Sequence, residues 1–186
     1  MFDQLPPDKD ELMTWTWADF EPFYVELAAQ FLTSENVFGW LKSWTLISQC
    51  DNELYNRLYV ATTVNTADQI TKERFKKYIE DTYIQTMEAE QTLKEKFLKS
   101  GLEPEDFEIQ LRNMQTETKL FRKENLPLQA KEENLSTKYD EIIGGQTVDW
   151  EGEEITLSQL KPIYQDNDRN KREKAWKLAM KRRAED

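Results

Sequence analysis

The sequence predicts a mostly α-helical protein: long antiparallel helical hairpins with one small β-hairpin near 146–156. Three observations lead there. Apolar residues recur at gaps of three and four through most of the chain, the signature of helices that bury one face. Only 5 of the 186 residues are glycine, too few for the many tight turns of an all-β fold. One short stretch, QTVDWEGEEIT, breaks the helical period and alternates instead.

Residues 1–13 read as an extended N-terminal arm, because Pro6 and Pro7 oppose a helix. The rest, residues 14–186, reads as one helical domain. Thr14 or Thr16 caps a first helix to about Phe31, a hydroxyl accepting an otherwise orphaned N–H. Ser34 is expected to cap a second helix to about Asn65, with Val37, Trp40, Leu41, Trp44, Ile47, Leu54, Leu58 and Ala61 along one stripe. Trp40 and Trp44, four apart on that stripe, read as core rather than as ligand-stacking rings.

Asp68 caps a third helix to about Ser100, carrying Phe75, Ile79, Leu93 and Phe97, and Gly101 supplies its left-handed end. The short link between the second and third helices makes them an antiparallel hairpin. Pro104 is expected to open a fourth helix with Phe107, Leu111, Met114, Thr118 and Phe121 on one side. Pro127 opens a fifth, with Leu128, Leu135, Tyr139 and Ile142 on one face, ended by Gly144 and Gly145.

In the alternating stretch, Glu151-Gly152 serves as a two-residue turn. That pairing sets Val148 opposite Ile155 and Thr147 opposite Thr156. Thr156 and Gln159 form a T-x-x-Q capping box ahead of a short helix to about Tyr164, and Asp166 is expected to cap the last helix.

Composition bounds the function. Apolar residues make up 38% and aromatic residues 12%, enough to build a core rather than a disordered chain. The formal charge of −11 argues against nucleic acid as a partner, since duplex binders carry a basic footprint. No apolar run is long enough to span a membrane, and the N-terminus lacks the apolar core of a signal peptide. Cys50, the single cysteine, has no internal disulfide partner, which points to the cytoplasm. There is no histidine, which removes most transition-metal sites and the usual neutral-pH general base.

The remaining chemistry-bearing residues read as structural. Glu132-Glu133 and Glu153-Glu154 are solvated charge, since neighbours on a helix point about 100° apart. DNDRNKRE at 166–173 lacks the central glycine and closing glutamate of a calcium loop, so its acids are helix caps. Gly144-Gly145 follows a helix and precedes a strand, the reverse of a phosphate loop. Residues 167–183 hold 8 of the 25 basic residues, on a helix whose Ala175, Trp176 and Ala179 read as a packing side. Trp150, on the hairpin, is open to either packing or ligand contact.

Across residues 101–179 the segments FRKENLPL, LSTKYDEIIGGQTVDWEGEEITLSQL and REKAWKLA resemble the N-terminal region of the oligoendopeptidase F family, thimet-oligopeptidase-like zinc metallopeptidases. The likeness is looser over residues 1–100. It implies a helical wall of a deep channel for short peptides. The zinc-bearing half, with H-E-x-x-H, would follow and be the partner. This sequence holds no H-E-x-x-H, so no catalytic or metal residue carries over and no cofactor is expected in this chain itself. The resemblance implies a chain cut within its last helix, and places Tyr139, Gln146 and Trp150 near the channel wall. An uncovered face would then promote self-association, with Trp176 at its centre. The alternative is a stand-alone helical module that binds peptides or proteins without catalysing anything.

Overall fold

A computed structural model describes residues 2–185, 76% of the protein being helical. The chain forms two compact units. One comprises the chain up to Thr62 together with Asp68–Asn134; the other comprises Thr63–Ala67 and the chain from Leu135 onward.

The first unit opens where an extended arm was expected. Instead Phe2–Gln4 makes a 3-10 turn and Lys9–Leu12 a short helix, α1. Asp8 caps α1 by accepting the Asp10 N–H at 2.9 Å, and Leu12 is buried. A local acid and one buried side chain thus outweigh the two prolines, which lie just ahead of the helix.

Helix α2 (Trp17–Ala29) starts at Thr16, whose N–H donates to the Asp19 carboxylate at 2.8 Å. Helix α3 (Val37–Val64) is not capped by Ser34. Thr33 and Asn36 cap reciprocally, the Thr33 N–H donating to Asn36 Oδ1 and the Asn36 N–H to Thr33 Oγ1. Trp40, fully enclosed, donates its indole N–H to the Leu27 carbonyl at 2.9 Å and so ties α3 to α2. Burying an indole without that acceptor would cost free energy.

The third helix begins as expected at Asp68, whose carboxylate accepts the Ile70 and Thr71 N–H groups. It is α-helical over Gln69–Lys77 (α4), π-helical over Tyr78–Tyr83, and α-helical again over Ile84–Ser100 (α5). The wide turn re-phases the helix so that Tyr78, Ile79 and Thr82 all face inward. Gly101 ends it at φ 68°, a left-handed position that glycine adopts without Cβ strain. Contacts of Trp44 and Ser48 with Glu90, and of Asp51 with Tyr78, run in opposite chain directions, so α3 and α4–α5 form the antiparallel hairpin.

Pro104 does not open a helix. It is buried ahead of the turn, and α6 runs Glu108–Leu120 after Phe107. Helix α7 (Leu126–Gly144) has Pro127 in its first turn. Its expected buried stripe is the clearest departure. Leu126 and Ala130 are buried, whereas Leu128, Leu135, Tyr139 and Ile142 are exposed. Spacing marked a ridge, and the side of the helix that found a partner was another one.

The second unit is built on the hairpin of β1 (Thr147–Trp150) and β2 (Glu153–Thr156). Its register is the one expected, Val148 opposite Ile155 and Thr147 opposite Thr156. Glu151 and Gly152 have φ 59° and 89°, the two left-handed positions of a tight hairpin turn, and Asp149 accepts the Gly152 N–H at 3.0 Å. Thr156 and Gln159 close their capping box ahead of α8 (Leu157–Leu160). Helix α9 (Arg169–Arg183) is capped by Asp168 rather than Asp166, which instead accepts the Asp168 N–H. Its small residues Ala175 and Ala179, one turn apart, join Val148, Leu157 and Leu160 in a core. Among the described residues no helix is long and apolar enough to cross a membrane.

Candidate functional site

The first unit places its polar chemistry between helices. Along α3, Trp44, Ser48, Asp51 and Tyr55 follow at gaps of four, three and four, so they share one face of the helix. That face meets Tyr78 of the π-helical segment, Glu90 of α5 and Tyr24 of α2.

Glu90 is the hub. Its Oε1 accepts the Tyr24 hydroxyl at 2.8 Å and the Ser48 hydroxyl at 2.5 Å, and its Oε2 accepts the Trp44 indole N–H at 2.6 Å. Three neutral donors hold one negative charge. Burial, followed by the neighbouring Glu90 charge, raises the Tyr24 phenol well above its ordinary range, so it stays a donor.

Next to this hub, Asp51 accepts the Tyr78 hydroxyl at 2.7 Å. Burial pushes the Asp51 carboxyl up from 3.8 to about 6, and the Glu90 charge adds to the rise while the Tyr78 hydrogen bond opposes it. Tyr78 is itself raised, by burial first and the Asp51 charge second. The buried Cys50 thiol is raised by the same two causes, which makes it a poor nucleophile. Tyr55 donates to Glu133 at 2.6 Å and is likewise held as a phenol, chiefly by burial.

A cleft of about 540 Å³ opens between α3, α5 and α6 onto Glu90, Trp44 and Ser48. Phe107, just ahead of α6, and Met114 of α6 give it an apolar wall, and Gln49, Asn52, Gln110 and Asn113 line it with amides. Lys94, at its edge, bonds Glu117 at 2.7 Å. The sequence has no histidine, the one cysteine is buried as a thiol, and no described group of three or more candidate ligands is arranged for a metal ion.

The residues singled out from sequence lie in the second unit, in three different surroundings. Tyr139 is 63% exposed and Gln146 only 1%, so one meets solvent and the other the interior. Gln146 also anchors the hairpin base, its carbonyl accepting the Leu157 N–H at 3.2 Å. Trp150 is partly buried beneath Lys174, whose Nζ stands 4.7 Å from the ring centroid. Trp176 is 56% exposed on α9.

The Glu90 hub and Asp51 were not legible as a site. Their one signal was local: polar Ser48 and Asp51 fall on the apolar stripe of α3. Glu90 lies in the charged run EAEQTLKEK, where no spacing sets it apart from its neighbours.

The chain matches none of the protein-family models, curated proteins or solved structures with which it was compared.

Proposed function

We propose that this chain is the non-catalytic N-terminal part of a zinc-dependent oligopeptide endopeptidase, shaped as a wall of the substrate channel. Zinc, its ligands and the water-activating glutamate would come from a catalytic half outside this sequence. The observation that carries the reading is the resemblance of LSTKYDEIIGGQTVDWEGEEITLSQL to the oligoendopeptidase F family. Geometry supports it at one point. Tyr139 and Trp150, both in that stretch, offer a solvent-facing phenol and a partly open indole, side chains suited to gripping an extended peptide. The single cysteine, buried and without an internal disulfide partner, supports a cytoplasmic setting.

A second reading is a stand-alone peptide- or protein-binding module. It is favoured by the α3–α5–α6 cleft, which is complete within the first unit. Both readings leave this chain without peptidase activity of its own.

Photo-crosslinking with a nine-residue unstructured peptide carrying a benzophenone side chain separates them. Labelling of residues 139–150 is the expected result. Labelling confined to α3, α5 and α6 favours the stand-alone module, and chelator-sensitive cleavage by the pure chain overturns both.

A further inference from the structure

The cleft above Glu90 carries chemistry that neither reading assigns. An ionised carboxylate has about four acceptor positions on its two oxygens. Here Oε1 takes two donors and Oε2 takes one, which leaves Oε2 with a position unfilled by these bonds. All three donors are neutral, and no described lysine or arginine forms an ion pair with Glu90. Lys94, the one cationic side chain lining the cleft, is engaged by Glu117, so the lining of two carboxylates and one ammonium is left with a net charge of −1.

Charge that a protein leaves uncompensated inside a cleft favours a cation there, because low-dielectric walls strengthen the attraction. The walls add a second preference. Phe107 and Met114 line the same space, which suits an apolar or aromatic body. About 540 Å³ is within the range of small-ligand sites.

We propose that the α3–α5–α6 cleft binds a primary ammonium group carried on an aromatic or aliphatic body, the ammonium donating to Glu90 Oε2. This stands independently of the peptidase reading, since it uses only residues of the first unit. The hydrogen bond is charge-assisted, so both the ligand's charge and the carboxylate's are needed for affinity.

The test is calorimetric titration of the full chain with phenethylammonium and with its neutral counterpart, 2-phenylethanol. Phenethylammonium is expected to bind one to one, and the alcohol at least tenfold more weakly, equivalent to about 1.4 kcal/mol. Glu90→Gln keeps one oxygen that can accept from Tyr24 and Ser48 but sets an amide NH2 in place of Oε2, and should lose at least tenfold for the ammonium. Phe107→Ala, at the rim, should weaken it several-fold. A readout in the unmodified protein covers the case in which Glu90→Gln misfolds. The Trp44 indole N–H resonance, assigned through Trp44→Phe, should shift on adding phenethylammonium and not on adding the alcohol. Equal affinity for the two compounds, unchanged affinity in a folded Glu90→Gln protein, an unmoved Trp44 resonance or no binding at millimolar ammonium would each overturn the proposal.

Discussion

Asp51→Asn should stabilise this protein at neutral pH and do so markedly less in mild acid. The Asp51 carboxyl rises from 3.8 to about 6 on folding, mainly because burial penalises its charge. A raised carboxyl binds its proton more tightly in the native state than in the unfolded chain. Stability therefore falls as pH climbs from about 4 through about 6, and the loss is complete above that range. A rise of this size corresponds to about 3 kcal/mol of unfavourable ionisation at pH 7.5. Asparagine keeps Oδ1 as acceptor for the Tyr78 hydroxyl and removes both the buried charge and its repulsion with Glu90. Allowing for local relaxation, the gain should be about 1–3 kcal/mol at pH 7.5 and about a third of that at pH 4.5. Urea unfolding, followed by tryptophan fluorescence at both pH values, measures it. An equal change at the two pH values, or a destabilised variant at pH 7.5, would refute the electrostatic account.

Two further outcomes concern the second unit. Gly152→Val puts a β-branched side chain at φ 89°, a conformation that costs on the order of 1–2 kcal/mol for L-residues, so amides of β1 and β2 should exchange about tenfold faster or more; wild-type exchange would show that the turn does not hold the hairpin. Trp176 is 56% exposed on α9, and covering its ring would bury on the order of 200 Å². Self-association across a hundredfold concentration range by light scattering, reduced in Trp176→Ser, is the expected behaviour; a strict monomer throughout removes Trp176 as a docking residue.

The sequence by itself determined what depends on near neighbours. Alternation and the Glu151-Gly152 pair set the hairpin register to the residue, because pleat and turn are decided within ten positions. The Thr156–Gln159 box, the Asp68 cap and the Gly101 end were readable for the same reason: donor and acceptor sit within three or four residues of each other. Where two local caps competed, as between Asp166 and Asp168, the choice turned on backbone geometry that residue type does not encode. The first turn of the chain failed similarly, a four-residue helix held by Asp8 and buried Leu12 where proline suggested extension. Tertiary structure alone decided which surfaces meet. Helical spacing gave α7 an apolar ridge but could not say that Leu126 and Ala130 would be covered while Leu128 and Tyr139 stayed exposed. The candidate site lies wholly at this level. Glu90 receives Tyr24, Trp44 and Ser48 from 66, 46 and 42 residues away, so its surroundings exist only once three helices pack. Burial is also what raises Asp51, and burial belongs to the packed protein rather than to the order of its residues.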